Sequence, residues 1–118
     1  MMASNLKLSN LTVFVDLNDR ISLAKLSQDH AALFPVPDKF EMFGWATQEV
    51  DGHDSTAIYN AVHQSSENKP RVIVCNTTKG KGVSFMEDVP VWHYRAPNED
   101  EYQTALSELN VALDEVVA

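Results

Sequence analysis

The chain has 118 residues and a formal charge of −8, with 44% of its residues hydrophobic and only four glycines and five prolines, which describes one globular domain and excludes a complete large enzyme. Seventeen acidic against nine basic residues oppose general nucleic-acid binding, and the single cysteine, Cys75, excludes an intrachain disulfide or a Cys-x-x-Cys site. No run approaches the roughly 18 to 20 apolar residues of a membrane span and the opening residues form no leader, so a soluble, cytoplasmic protein is expected.

Leu11 to Val15 (LTVFV) is a short apolar, β-branched run and predicts a strand buried on both faces, ending in Asp16. The segment DLNDRISLAKLSQDHAALFPVP is mixed in character and reads as mostly loop, with a short helical turn near Asp29 to Leu33. Pro37 to Phe43 predicts a short helix, with proline in its first turn, Phe40 and Phe43 at helical spacing, and Gly44 as its stop. Trp45 to Val50 predicts a second strand closed by the Asp51-Gly52 turn. An amphipathic helix follows, capped by Asp54 or Ser55, carrying Ile58, Ala61 and Val62 on one face, and ended by Asn68 to Pro70. Arg71 to Cys75 (RVIVC) is again continuously apolar, so strand, helix and strand have the spacing of a βαβ unit and predict a parallel sheet. Asn76 to Pro97 is long and irregular, which is the usual form of a functional segment. Asn98 caps a last helix with Glu101 as capping-box partner, and Tyr102, Leu106, Leu109 and Leu113 recur on one face.

Ligands of a parallel sheet bind at the carboxyl ends of its strands, here Asp16 to Arg20, Asp51 to Asp54 and Asn76 to Lys81. Asp16, Asn18 and Asp19 offer oxygens to a hard cation such as Mg²⁺, or equally make a turn bonding its own backbone. Lys79-Gly80-Lys81-Gly82 suits a phosphate through its ammonium groups and glycine-permitted N–H groups, or is an exposed basic turn; it lacks the spacing of a Walker loop. His93 could bind phosphate or move a proton, or serve only its loop. His53 reads as a turn residue, His30 and His63 belong to no constellation, and Cys75 reads as a buried, inert thiol.

The strings VFVDLND, FGWATQEVDGHD, RVIVCNTTKGKGVSF and WHYRAPNEDEY, in this order, resemble the latter part of the thiamine-diphosphate-binding domain of transketolases, particularly the N-terminal subunit of split, two-chain transketolases. The resemblance implies an α/β fold in which residues 1–118 form a single partial domain, a truncated three-layer sandwich with a parallel sheet flanked by helices. It implies thiamine diphosphate and Mg²⁺ as cofactors, Asn18 as a metal ligand, and a main-chain carbonyl two residues later as another. That carbonyl belongs to Arg20, or to Ile21 because Asn18-Asp19-Arg20-Ile21 departs from the family's Asn-Gly-Leu or Asn-Arg-Ile pattern. Lys79 matches a lysine near the diphosphate, and His93 matches a histidine on the diphosphate and the sugar, the catalytic candidate. The family's Gly-Asp-Gly motif, whose aspartate is the other metal ligand, is absent, since the glycines stand only at 44, 52, 80 and 82.

The expected function is therefore that of a transketolase-like subunit or fragment, inactive by itself. Its family reaction transfers a two-carbon ketol unit between sugar phosphates. The expected partners are a second copy or a transketolase C-terminal subunit, with a sugar phosphate as substrate of the intact system. The alternative is a non-catalytic relict or scaffold that associates through an exposed sheet edge. A third expectation is that the natural protein is longer.

Overall fold

The computed structural model describes residues 1–117, with side chains described as far as residue 110. A short N-terminal helix α1 (Met2–Asn5) precedes strand β1 (Thr12–Leu17). A two-residue hairpin, β2 (Arg20–Ile21) with β3 (Ala24–Lys25), leads into the single helical turn α2 (Leu26–Asp29) and a 3-10 turn over Ala31–Leu33. Helix α3 (Val36–Met42), strand β4 (Ala46–Asp51), helix α4 (Ser55–His63), strand β5 (Arg71–Asn76) and the long helix α5 (Glu99–Val117) complete the chain. The main sheet is wholly parallel in the order β1-β5-β4, with Phe14 and Gln48 both level with Ile73.

The central strand β5 organises two cores because its side chains alternate across the sheet. Val72 and Val74 pack with Val36 of α3 on one face, joined by Val13, Val15, Leu17, Phe40 and Trp45. Ile73 and Cys75 pack with Ala61 of α4 on the other, joined by Val50, Ile58 and Val62. This is the expected α/β arrangement of a parallel sheet between helices. The expected βαβ unit is β4-α4-β5, its helix opened by the Asp54 carboxylate, which accepts from the Thr56 and Ala57 N–H groups at 2.8 and 3.0 Å. Helix α3 closes with paired bonds from Gly44 N–H to the Glu41 carbonyl and from Trp45 N–H to the Phe40 carbonyl, the Schellman arrangement.

Four expectations are corrected. Strand β1 is covered on one face only: α4 lies over β4 and β5, and Phe14 on the opposite face of β1 is 52% exposed. The segment after Asp16 is not mostly loop, since Asn18 and Asp19 turn the chain into the β2-β3 hairpin, although the helical turn expected near Asp29 to Leu33 is present as the 3-10 turn over Ala31–Leu33. Phe43 is the exposed C-cap of α3 rather than a second inward ring, whereas Phe40 stacks edge-on against Trp45 with centroids 5.6 Å apart. Helix α4 stops at His63, before Asn68. The apolar face of α5 is also left largely open, with Ala105 buried and Tyr102, Leu106 and Leu109 exposed; the Leu113 side chain lies outside the described residues.

Helix α5 is held by its polar groups. Asn98 and Glu101 exchange the two bonds of a capping box, each 2.9 Å, and Glu101 also pairs with Arg95. Glu108 accepts from the Ser84 N–H at 2.6 Å and from its hydroxyl at 2.7 Å. Hydrogen bonds from Ser84 hold the Glu108 carboxyl below its ordinary value of 4.5, and Arg95 first, then the Asn98 N–H, do the same for Glu101. Both groups therefore bind protons more readily in the unfolded chain. Their contribution is complete above about pH 4.5 and is lost as pH falls through the lowered folded values. The melting temperature is expected to decline as buffer pH drops below 4.5, less steeply in Glu108→Gln, and an unchanged acid profile in that variant would remove Glu108 from the account.

Candidate functional site

All three carboxyl ends of the parallel strands open into one cleft of about 510 Å³. β1 brings Asp16 and, just beyond its end, Asn18; the turn after β4 brings His53; the loop after β5 brings Thr77 through Lys81. The fold places them there because β1, β5 and β4 run in register, so Asp16, Cys75 and Val50 lie level and the chain turns away from all three strands at the same height. Gly52 makes the closeness of the outer walls possible: a Cβ there would stand 2.4 Å from the Thr77 methyl and 2.9 Å from the Cys75 Cβ.

One wall is a carboxylate and amide pair. The Thr77 hydroxyl donates to Asp16 Oδ1, while Asn18 Nδ2 donates to Asp16 Oδ2 at 3.1 Å. Asn18 Oδ1 accepts from the Arg20 N–H at 2.9 Å, so the self-bonded turn weighed from the sequence is present. Asp19 takes the left-handed conformation, φ +55°, and its carboxylate accepts from the Ser27 N–H and hydroxyl at 2.6 and 2.7 Å. These two bonds, the side-chain one first, hold the Asp19 carboxyl below its ordinary value and turn it away from the role of free metal donor.

The other wall is basic. Lys79 makes no ion pair among the described residues, whereas Lys81 lies 3.6 Å from Glu87. The loop is anchored by His53, whose Nε2 accepts the Thr78 N–H at 2.8 Å. A cation-and-carboxylate cleft with glycine-lined backbone matches the chemistry of a divalent cation bound to a phosphate ester. A hollow of about 570 Å³ near Ile21, Leu26 and Leu33 lacks that donor set, and the Lys39 ammonium at its rim is taken up by the Phe34 and Pro35 carbonyls.

Asn18 and Lys79 thus meet in one cleft. Arg20 supplies its N–H to Asn18, but its guanidinium turns toward Asp88, and neither Arg20 nor Ile21 lines the cleft. His93 sits in a 3-10 turn over Pro90–His93, its ring edge-on to Tyr94 with centroids 4.7 Å apart, and it does not line the cleft. In sequence, Thr77 and Thr78 fall in the Asn76 to Lys81 strand end without an assigned role, and His53 reads as a turn residue only. The VDGHD turn and the Asn-Thr-Thr continuation of a buried strand were the available signals. Cys75 is buried beneath the cleft, and desolvation, with the Asp16 charge second, pushes its thiol up. Among the described residues no helix is long and apolar enough to cross a membrane.

A parallel α/β sheet whose strand ends converge on a polar, phosphate-type cleft defines the class as a cofactor-binding domain of three-layer design. The chain belongs to the transketolase family: residues 1–115 match the model of the transketolase, thiamine diphosphate binding domain. It is 38% identical over 108 residues to an apulose-4-phosphate transketolase subunit of Actinobacillus succinogenes, covering 91% of this chain and 39% of that protein. It is 36% identical over 111 residues to a 6-deoxy-6-sulfo-D-fructose transketolase subunit of a Clostridium species, covering 92% and 40%. The apulose-4-phosphate transketolase subunit of Phocaeicola vulgatus is 29% identical over 118 residues, covering 98% and 42%. The chain therefore spans about two fifths of the length of these relatives.

Proposed function

We propose that this chain supplies the Asn18–Lys79 part of a thiamine diphosphate and Mg²⁺ site in a transketolase completed by further polypeptide. The observation that carries the reading is the convergence of Asp16, Asn18, Lys79 and Lys81 on one cleft at the strand ends. The residues lining the cleft fit the diphosphate and cation end of the cofactor: Asn18 would hold the cation and Lys79 would neutralise the diphosphate, while the Arg20 or Ile21 carbonyl proposed as a further ligand lies outside the cleft and would have to reach the cation in the completed site. Asp16 orients the Asn18 amide from the side opposite Arg20. Thiamine diphosphate, when bound, supplies the carbanion-stabilising chemistry of two-carbon ketol transfer between sugar phosphates. His93 would act on the diphosphate and the sugar from its turn in the completed site.

The chain is expected to be inactive alone, because the Gly-Asp-Gly carboxylate of the family has no counterpart in it. Its surface fits an assembled existence. The radius of gyration is 17.5 Å, against about 13 Å for a compact chain of about 100 residues, and the smallest dimension is 18 Å. The free edge of β1, with Phe14 uncovered beside it, is a ready surface for another strand. A transketolase C-terminal subunit, or a second copy of the chain, is the proposed partner, in the cytoplasm.

A second reading, a non-catalytic scaffold, is favoured by one observation: Asn18 Oδ1 is already satisfied by the Arg20 N–H. Calorimetric titration of thiamine diphosphate with Mg²⁺ separates the two, using the chain alone, the chain mixed with candidate partner subunits, and Asn18→Ala in each. Binding is expected only in a mixture, weakened at least about tenfold by Asn18→Ala, which corresponds to about 1.4 kcal/mol. Absence of binding in every mixture would leave the scaffold.

A further inference from the structure

The cleft's two walls come from chain segments about 60 residues apart, and beyond the β1-β5 pairing and the bond from Thr77 to Asp16 an ion pair also joins them. Arg20 carries a full charge, yet its side chain is only 10% exposed. Its Nε donates to Asp88 Oδ1 at 2.7 Å and its Nη2 donates to the Asp88 carbonyl at 2.7 Å, with Nη2 also 2.5 Å from Oδ1. A guanidinium so far removed from water has few other partners, and its planar fork is matched by the carboxylate and carbonyl of a single residue. Lys25 adds a weaker attraction, its Nζ 3.9 Å from Asp88 Oδ2.

Each end of this pair touches a proposed ligand of the cleft. The Arg20 N–H holds Asn18 Oδ1 at 2.9 Å, and the Asp88 N–H donates to the Lys79 carbonyl at 2.8 Å. Asp88 has φ +57°, a conformation that glycine adopts without strain and that aspartate adopts at a cost. The carboxylate thus stands at a backbone conformation that glycine adopts more easily, and its partner is Arg20.

We infer that Arg20 and Asp88 form a positioning clamp that couples the Asn18 wall of the cleft to the Lys79 wall. The clamp ties the two loops together beyond the strand ends, where the β1-β5 pairing stops at Leu17 and Asn76. Its bearing on affinity rests on the cofactor reading above; its structural part does not. A cation held at Asn18 and a diphosphate held at Lys79 must sit at one fixed separation, so loosening the clamp weakens their joint binding more than the binding of either alone.

The variant of choice is Asp88→Gly, which keeps the N–H to Lys79 and suits φ +57° while removing the carboxylate; Asp88→Asn retains an acceptor for Nε and should restore part of the effect. In the chain without ligand, NMR should show the Asn18 side-chain amide resonances displaced in Asp88→Gly, with faster amide exchange at Thr78 through Gly82, and both changes reduced in Asp88→Asn. In the mixture that binds, titration with inorganic diphosphate and Mg²⁺ together should show about tenfold weaker binding in Asp88→Gly, with Asp88→Asn intermediate. Unmoved Asn18 resonances in a folded Asp88→Gly chain would overturn the clamp, as would unchanged joint binding of diphosphate and Mg²⁺. Displaced resonances with no diphosphate binding by the unaltered protein would instead support the clamp and overturn the cofactor reading.

Discussion

Gly80→Ala is expected to detach the basic wall of the cleft. Gly80 has φ +77°, and a Cβ added there would stand 2.5 Å from the Met86 carbonyl oxygen and 2.7 Å from its carbon. Left-handed backbone costs an L-residue about 1 to 2 kcal/mol. Forcing extra volume into a fixed contact adds about 1 to 3 kcal/mol. The neighbour is main chain, which cannot swing aside as a side-chain tip can, and it is bound in turn through Met86 N–H to Val83 and Glu87 N–H to Val83. Relief must come from movement of the whole loop from Lys79 to Asp88, and the Lys79 carbonyl then loses its bond from Asp88. Gly82→Ala is the graded control, with φ +96° but only a Leu109 methyl at 3.2 Å, so it meets the backbone strain without the main-chain collision. Amide exchange across residues 79–88 and thermal melting measure both variants. Exchange in the loop should rise strongly in Gly80→Ala and moderately in Gly82→Ala. Equal, small effects would mean that the loop accommodates the new methyl and that the tight Gly80–Met86 approach is not a constraint.

What the sequence disclosed and what it withheld follow from the range of the interactions concerned. The β4-α4-β5 unit was legible because its signals are local: an apolar run, the Asp54 cap, a second apolar run at Arg71. The Asn98–Glu101 capping box was legible for the same reason, its partners being three residues apart. The β2-β3 hairpin was not, because strands of two residues display no period and are set by the left-handed turns at Asp19 and Ser22. Nor was the exposure of Phe14, since an apolar run reads alike whether one face is covered or two; coverage is decided by where α4 comes to rest. At the site, Asn18 and Lys79 were legible as candidates from residue type at the carboxyl ends of predicted strands, and the resemblance added their roles. The joining of their loops was invisible, because Arg20 and Asp88 are 68 residues apart and the pattern that holds Arg20 says nothing of where its guanidinium goes. His53 was misjudged in value rather than in kind: it is a turn residue bonding the backbone, but the backbone is that of Thr78, 25 residues away in the loop after β5.

The second large effect is expected at the centre of the sheet. Ile73 is fully buried on the middle strand, flanked by β1 and β4 and packed against Ala61 and Cys75, with Ile58 and Val62 of α4 nearby. Ile73→Ala removes this contact and leaves a void that a strand bonded on both edges cannot collapse to fill, at a cost of about 2 to 5 kcal/mol. Ile73→Val, which shortens the side chain by one methylene, should cost about 0.5 to 1.5 kcal/mol. A domain holds about 5 to 15 kcal/mol in all, so the alanine variant removes a large share. Urea titration of both variants provides the measurement, and a loss below about 1 kcal/mol for alanine would show that α4 settles onto the sheet and fills the space. The same variant separates fold from chemistry. Thr77 continues from β5 into the cleft, so Ile73→Ala should weaken ligand binding and stability together, whereas Asn18→Ala, at a surface turn, should lower binding while leaving the urea midpoint nearly unchanged. A cleft built on the carboxyl ends of three strands requires this dependence to run in one direction only: the sheet supports the site, and the site contributes little to the sheet.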